Sequence, residues 1–202
     1  MGMFVSVLTG YLLGNINGAY IVGRLVGGID IREHGSKNAG ATNVNRVLGS
    51  KPAALALAVD LLKGVAAAII GRYLVDGDMG AIFAGVSVVC GHNWPCLLKF
   101  KGGKGIATSL GVLFGLDLRV ALILLAAGIF IIMVTRYVSM ASVICAVLYP
   151  FLTVLFKLSY ELKVFSVVIS VFALIRHKEN IKRLVTGRES KVSIKLTPKK
   201  GD

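Results

Sequence analysis

A glycine-rich segment at residues 91–108, GHNWPCLLKFKGGKGIAT, holds the residues of this sequence best suited to binding an anion. Three glycines surround one lysine near its end: Gly102, Gly103, Lys104 and Gly105. Glycines permit a backbone path in which successive amides point into one concavity, and such a concavity binds phosphate. The apolar run 106–116 follows at once, so a helix N-terminus would add free amides and the positive end of its dipole. We therefore predict a phosphate-binding loop, although a Gly/Lys turn between two membrane helices has a similar composition.

A second candidate anion site lies upstream, in the polar segment GSKNAGATNVNR at residues 35–46. Its hydroxyl, amide and basic side chains include Ser36, Lys37, Thr42, Asn43 and Arg46. Hydroxyl and amide groups donate hydrogen bonds to phosphate oxygens, and an arginine can hold a phosphate with two parallel bonds. Polar loops between membrane helices look similar, so this pattern favours a binding site without establishing one.

His177 and Asn180 form a third polar group, in the segment RHKENIKR. At a spacing of three they share one face of a helix. A histidine has an ordinary pKa of about 6.5 and could act as a general base. A solvated histidine at the end of a membrane helix explains this segment equally well.

The composition indicates a membrane protein as the scaffold for these segments. Of the 202 residues, 55% are hydrophobic and only 16% are charged, whereas a soluble domain has about a quarter of its residues charged. The net charge of +13 is concentrated in a few polar segments that separate apolar runs. A nucleic-acid-binding protein would instead spread such charge over a soluble surface, so we expect no nucleic-acid partner.

Seven apolar stretches predict an all-α integral membrane protein, a bundle of seven transmembrane helices of which some are short or broken. The predicted spans are residues 3–26, 52–74, 80–98, 106–116, 118–135, 137–156 and 164–175. Pro95 should end or bend the third span. Asp60 and Lys63, three apart in the second span, are predicted to form a structural ion pair, with a part in positioning the first polar loop as the alternative.

Asn15 and Asn17 lie in the first span, whose glycines at four-residue spacing allow close helix approach. Both asparagines should face protein or a cavity, where they could bond between helices or bind a ligand. Cys90, His92 and Cys96 lack a fourth ligand for structural zinc, so no metal site is predicted.

The distribution of Lys and Arg predicts the orientation of the bundle. Eighteen of them fall in loops on one side, and four fall on the opposite side. Positive loops face the cytoplasm, which places the N-terminus outside and the C-terminus inside. Residues 1–202 are thus predicted to form a single membrane domain with a basic cytoplasmic tail from about 176 to 202. All three polar segments meet at one face, as expected for a small phosphorylated substrate that encounters a lipid-like one.

These segments resemble the motifs of a known family, the bacterial integral-membrane glycerol-3-phosphate acyltransferases that use acyl phosphate as the acyl donor. Residues 35–46, 91–108 and 176–189 are similar to that family's three motifs and occur in the same order. The resemblance extends over essentially the whole chain. Lys37 and Asn38 occupy positions where the family often has Gly and Asn, so Lys37 departs from that pattern. This departure puts no catalytic role in doubt.

The resemblance implies a reaction and a location. A fatty acyl group would pass from acyl phosphate to the 1-hydroxyl of glycerol 3-phosphate, giving lysophosphatidic acid and inorganic phosphate, the first acylation step of phospholipid biosynthesis. No metal, cofactor or obligate protein partner is implied. The enzyme would be a multi-pass protein of the bacterial inner membrane with its active site at the cytoplasmic face.

The resemblance also implies roles for individual residues. The implied catalytic residues are Lys104, Ser142, His177 and Asn180. The implied substrate-binding residues are Ser36, Lys37, Thr42, Asn43 and Arg46 in the first segment, and His92, Gly102, Gly103, Gly105 and Thr108 in the second. The proton of the attacking hydroxyl could pass to His177 or to a phosphate oxygen, and the sequence leaves both possible.

Two other functions compete with acyl transfer. A membrane transporter of an organic phosphate shares the basic loops, but such carriers usually show an internal repeat and a site near the bilayer midplane. A phosphotransferase of the CDP-alcohol kind needs clustered aspartates that bind a metal, and the aspartates here are scattered over both sides.

Overall fold

The computed structural model describes residues 1–192, which form ten α-helices and two short 3₁₀ helices and contain no strand. The α-helices are α1 Gly2–Asn15, α2 Gly18–Gly27, α3 Ala41–Leu48, α4 Ser50–Leu74, α5 Asp78–Asn93, α6 Ile106–Leu116, α7 Leu118–Thr135, α8 Val138–Leu155, α9 Tyr160–Arg176 and α10 Lys178–Val185. The 3₁₀ helices are Ile31–Glu33 and Cys96–Leu98. The predicted all-α architecture is confirmed. Residues 193–202 of the predicted basic tail lie outside the described range.

Within residues 1–192, five helical stretches are long and apolar enough to cross a bilayer. They are 2–27, Ser50–Leu74, Asp78–Leu98, Leu118–Thr135 and Val138–Leu155. The other two predicted spans correspond to α6, with 11 residues, and α9, with 17 residues. Both are shorter than the roughly 20 residues that cross a bilayer without adjustment. The seven-span count therefore stays a prediction.

The first apolar stretch is two helices where the sequence predicted one continuous span. It is interrupted at Ile16–Asn17, because Asn17 has an extended backbone and its side-chain oxygen caps α2 by accepting from the amide of Tyr20 at 2.8 Å. The third predicted span also ends early. Its helix stops at Asn93, two residues before Pro95, as the proline predicted.

Small residues let the central helices pack closely. A Cβ atom on Gly10 would overlap the Ala84 backbone of α5, and one on Gly64 would overlap the Thr108 carbonyl of α6. The predicted close approach along the glycines of the first span is thus confirmed. These contacts bring α1, α4, α5 and α6 together, so the loops that leave α1 and α5 lie side by side. The described part of α7 is mostly exposed, as a lipid-facing helix would be.

Asp60 and Lys63 form the predicted ion pair, with 2.9 Å between Asp60 Oδ1 and Lys63 Nζ. Asn15 faces protein as expected, since its side-chain oxygen accepts from the amide of Leu97 at 3.2 Å. Asn17 Nδ2 donates to the carbonyl of Ala39 in the first polar segment at 3.2 Å. The junction between α1 and α2 is therefore attached directly to the loops that carry the candidate site.

Candidate active site

The glycines of the second segment are required by its close approach to the end of α5. A Cβ atom on Gly102 would overlap the His92 carbonyl, and one on Gly103 would overlap His92 Nε2 and lie 2.7 Å from the Ala39 carbonyl oxygen. Gly105 has φ of +80°, in the left-handed region that glycine favours. The loop is thus folded tightly onto protein, a contact that the sequence-based expectation of an anion-binding concavity did not include.

One amide of this loop is already occupied. Gly103 N donates to the His92 carbonyl at 3.0 Å. The expectation that this amide binds a phosphate is therefore wrong for the described conformation. The backbone N–H groups of Lys104 and Gly105, by contrast, have no protein acceptor within residues 1–192. They precede α6 directly, so the predicted use of the helix N-terminus stays open to an anion.

Arg176, the first residue of the third segment, binds the backbone of the second segment. Its Nε donates to the Gly103 carbonyl at 3.0 Å, and its Nη2 donates to the carbonyls of Gly102 at 3.2 Å and Gly103 at 2.8 Å. The same guanidinium lies 5.7 Å from the ring centre of Trp94. By occupying these carbonyls, Arg176 neutralises the side of the loop that would repel an anion.

Lys104 joins the second and third segments, because its ammonium donates to Asn180 Oδ1. Asn180 is oriented in turn by Glu189, whose Oε1 accepts from Asn180 Nδ2 at 2.7 Å and from the Ser139 hydroxyl at 2.8 Å. Arg183 Nε donates to the other Glu189 oxygen at 2.7 Å. With its nitrogen bonded to a carboxylate, the Asn180 amide must turn its oxygen toward Lys104.

Burial lowers the pKa of Lys104 to about 8; Glu189 opposes this shift, while Arg183, Arg46 and Arg176 add to it. Burial alone would raise the pKa of Glu189, but its hydrogen bonds from Arg183, Asn180 and Ser139 lower it. The site therefore carries several cations with one carboxylate among them. An incoming phosphate would be attracted to this excess of positive charge.

His177 lies at the junction of α9 and α10 and is buried, so the alternative of a solvated helix-end histidine is wrong. Burial, followed by the nearby charge of Lys104, lowers its pKa to about 4, so the imidazole is neutral at neutral pH. Its Nδ1 is 2.8 Å from the Ala173 carbonyl, which can only accept. The hydrogen is therefore on Nδ1, and Nε2 is left as a hydrogen-bond acceptor.

Ser36 and Arg46 from the first segment line a cavity of about 340 Å³ together with residues of α10 and of the segment after it. The full lining is Gly35, Ser36, Arg46, Arg183, Glu189 and Ser190. Both arginines are partly solvent-exposed and can reach a ligand. The predicted convergence of the first and third segments is thus present in the structure.

Asn43 has a different setting from the other first-segment residues. It is buried, its side-chain oxygen accepts from the Ser36 amide at 2.7 Å, and its nitrogen donates to the carbonyls of Ile31 and His34. Its hydrogen-bonding groups are used to shape the loop. Lys37 is exposed and has φ of +59°, a conformation that suits glycine. Thr42 lies half-buried in the first turn of α3.

Three other predicted residues lie away from this cavity. The Ser142 hydroxyl donates to the Val138 carbonyl of its own helix at 2.9 Å. Thr108 is fully buried at the contact of α6 with α4. His92 lies behind the glycine loop, with Nδ1 2.8 Å from Lys63 Nζ. None of the three lines the cavity between the first and third segments.

Four residues of the site were not predicted from the sequence: Arg176, Arg183, Glu189 and Ser139. The first three lie inside the third motif, where Glu189 is an acidic residue in a strongly basic segment. That contrast was a usable signal, because a carboxylate among so many cations is expected to pair with them. Ser139 carried no such signal, since its partner is 50 positions away in sequence.

Comparisons with known proteins show which family this chain belongs to. A family model described as glycerol-3-phosphate acyltransferase matches residues 4–187. The chain is 49% identical over 191 residues to a glycerol-3-phosphate acyltransferase of Thermoanaerobacter sp. (strain X514), covering 95% of this chain and 96% of the relative. It is 46% identical over 191 residues to the corresponding protein of Alkaliphilus metalliredigens, covering 95% of this chain and 96% of that one.

The fold is also similar to solved structures. The crystal structure of PlsY (YgiH), an integral membrane glycerol 3-phosphate acyltransferase, in its glycerol 3-phosphate form has a TM-score of 0.89 at 36% identity, with 96% of each chain covered. The lysophosphatidic acid form of PlsY has a TM-score of 0.86 at 35% identity, again with 96% of each chain covered.

Proposed function

Because the chain belongs to the family of glycerol-3-phosphate acyltransferases, we propose that it transfers a fatty acyl group from acyl phosphate to the 1-hydroxyl of glycerol 3-phosphate. The products are lysophosphatidic acid and inorganic phosphate. Two crystal structures of PlsY are a glycerol 3-phosphate form and a lysophosphatidic acid form, which supports the acceptor and the product. The acyl-phosphate donor rests on the motifs and on the chemistry of the site.

The observation that carries the proposal is the bond from Lys104 to Asn180, which joins the second and third segments beside an arginine-lined cavity. The reaction involves two phosphate groups, one on each substrate. The site offers two groups of cations, Lys104 in the glycine loop and Arg46 with Arg183 around the cavity. We assign one phosphate to each group.

The proposed chemistry is attack by the 1-hydroxyl oxygen on the acyl carbonyl carbon. A new C–O bond forms, and the bond from the carbonyl carbon to the phosphate oxygen then breaks. Negative charge develops on the leaving phosphate, where Lys104 and the free amides at the start of α6 can stabilise it. Phosphate leaves readily once its charge is balanced, so positioning and electrostatics supply much of the catalysis.

His177 has a defined part in this scheme. Its free Nε2 can accept a hydrogen bond from the attacking hydroxyl and orient that oxygen. With a pKa of about 4 it is a weak base, and effective general bases have pKa values near the working pH. We therefore assign the final proton to a phosphate oxygen, with His177 in an orienting role.

The acyl chain needs an apolar site close to the loops. A groove of about 390 Å³ lies between the α1/α2 junction and the 3₁₀ helix that precedes the glycine loop. Its lining is Leu12, Asn15, Ile16, Asn17, Tyr20, Ile21, Leu97 and Leu98. Leu12 and Leu97 are 54% and 76% exposed, so the groove has an open apolar edge that a lipid chain could enter.

The membrane arrangement is part of the proposal. We assign seven spans, including the short helices α6 and α9, with the N-terminus outside and the C-terminus in the cytoplasm. The excess of Lys and Arg on the side of the three segments supports this orientation. The site would then face the cytoplasm from the inner membrane of a bacterium.

The test uses protein purified in detergent or lipid, with glycerol 3-phosphate, EDTA and either palmitoyl phosphate or palmitoyl-CoA. Mass spectrometry identifies the product. The proposal predicts lysophosphatidic acid from palmitoyl phosphate and none from palmitoyl-CoA. Uptake of glycerol 3-phosphate into vesicles without product would support the transporter alternative and refute acyl transfer.

A further inference from the structure

Two charged residues and a histidine are buried together in the middle of the helix bundle. Asp60 and Lys63 on α4 are 3% and 5% exposed, and His92 on α5 is 4% exposed. Charges are costly in a membrane and persist there mainly for function. A buried ion pair also adds little net stability compared with apolar residues of similar size. The cluster therefore needs an explanation beyond holding the helices together.

The ion pair bridges the break between α1 and α2. Lys63 Nζ donates to the carbonyls of Gly14 at 3.2 Å and Ile16 at 2.5 Å. Asp60 Oδ1 accepts from the amide of Gly18 at 3.1 Å. The cation thus satisfies carbonyls at the end of α1, and the anion satisfies an amide at the start of α2. Each charge matches the helix end that it contacts.

This junction is attached to the first polar segment. Asn17 lies between the residues bound by the ion pair, and its Nδ2 donates to the Ala39 carbonyl at 3.2 Å. The Ala39 carbonyl lies against Gly103 of the second segment. A shift of the junction would therefore move the contact between the first and second segments.

Lys63 also reaches the second segment through His92. Two groups face His92 Nδ1: Lys63 Nζ at 2.8 Å, which can only donate, and Asp60 Oδ1 at 3.4 Å, which can only accept. The lysine contact is the shorter one, so we infer that Nδ1 accepts and that a neutral His92 carries its hydrogen on Nε2. That Nε2 faces Gly103, and the His92 carbonyl accepts from the Gly103 amide. One lysine thus holds both the α1/α2 junction and the residue on which the glycine loop is folded.

We propose that Lys63, held by Asp60, is a positioning residue for acyl transfer. It fixes the two anion-binding segments relative to each other, through Asn17 on one side and His92 on the other. The inference rests on the proposed function, because these segments are the ones assigned to the two substrates. It gives the buried charges a role in catalysis without any contact between them and a substrate.

A double variant separates positioning from stability. Lys63→Met combined with Asp60→Asn removes both charges, keeps similar side-chain volumes and leaves an acceptor for Gly18. No unpaired buried charge remains, but the carbonyls of Gly14 and Ile16 lose their donor. We therefore expect a moderately lower melting temperature and a protein that is still folded at the assay temperature. The kcat/KM for glycerol 3-phosphate should nevertheless fall by about tenfold to hundredfold, as expected for displaced reacting groups. A stably folded double variant with the parental kcat/KM would overturn the proposal.

The matched control joins the C-terminal end of α4 to the first residue of α5. Arg72 and Asp78 form an exposed ion pair, with 2.6 Å between the guanidinium and the carboxylate and side chains 46% and 44% exposed. Arg72→Met combined with Asp78→Asn should leave kcat/KM and melting temperature unchanged, because exposed pairs contribute little. A loss in this control equal to that of the buried double variant would contradict a specific role for Lys63.

A second measurement uses the parent protein and needs neither an activity assay nor a folded variant. The chain has three histidines, so selective ¹⁵N-histidine labelling gives a spectrum with few signals. The proposal predicts that His92 in the parent protein is the tautomer with hydrogen on Nε2. Hydrogen on Nδ1, or a doubly protonated ring, would mean that Lys63 does not orient it and would overturn the inference. Absence of product from the parent protein would instead refute the proposed function.

Discussion

The parent protein is predicted to lose activity at alkaline pH, and replacing Lys104 by arginine is predicted to abolish that loss. The pKa of Lys104 is lowered to about 8, so the side chain is charged below this pH and neutral above it. The cation that balances the phosphate is therefore lost as the pH rises through 8. From the titration of one group, kcat/KM should be about tenfold lower at pH 9 than at pH 7. Arginine stays charged throughout this range.

The assay is the initial rate of phosphate release from palmitoyl phosphate at subsaturating glycerol 3-phosphate, corrected for uncatalysed hydrolysis. The parent protein should show an alkaline decline centred near the pKa of Lys104. Lys104→Arg should show none, whatever its absolute rate. Lys104→Met removes the charge at every pH and should lower kcat by about 10²- to 10³-fold, as loss of one stabilising donor does elsewhere.

Two results would refute this reasoning. A flat profile for the parent protein up to pH 9.5 would mean that Lys104 keeps its charge or is not needed. An alkaline decline in Lys104→Arg with the same midpoint would assign the titration to another group. A bound phosphate favours the charged lysine, so the decline in kcat should lie at higher pH than the decline in kcat/KM.

Other substitutions test separate contacts of the site. Gly103→Ala should destabilise the protein by about 1–3 kcal/mol and lower its activity, because the new methyl group would overlap His92 Nε2 and approach the Ala39 carbonyl. Gly128→Ala is the control, because its methyl group would meet its nearest atom at 3.6 Å. It should change neither the thermal unfolding nor the reaction rate. Arg176→Lys should lower kcat/KM by about tenfold or more, since lysine cannot reproduce the forked donors that bind the Gly102 and Gly103 carbonyls. A variant with the parental kcat/KM would contradict a role for Arg176 in holding the loop. Glu189→Ala should lower both melting temperature and kcat by releasing the Asn180 amide; unchanged kinetics would show that this amide needs no partner.

The sequence was most informative where local pattern decides structure. Apolar runs predicted the helices, and Pro95 predicted the early end of α5. The clustering of Lys and Arg predicted that the three polar segments would meet. The Asp60–Lys63 pair was predictable because a spacing of three places both side chains on one face of a helix.

The remaining features depend on contacts between residues far apart in sequence. At the break near Ile16, Asn17 caps α2 locally, and Lys63, 47 positions later than Ile16, supplies a donor to the Ile16 carbonyl. Gly103 belonged to the predicted loop, but its amide is used by His92. Asn43 has the chemistry of a ligand-binding residue, whereas its bonds shape the loop. A motif specifies residue types, and only the fold decides which of their groups remain free.

The central claim is that one acyl group moves from phosphate to glycerol 3-phosphate, and a doubly labelled donor tests it directly. Palmitoyl phosphate carrying ¹⁴C in the acyl group and ³²P in the phosphate is incubated with the purified protein and glycerol 3-phosphate. The account predicts equal amounts of ¹⁴C-lysophosphatidic acid and free ³²P-phosphate, both dependent on the acceptor. Phosphate release without acylated product, or ³²P in the lipid product, would contradict acyl transfer.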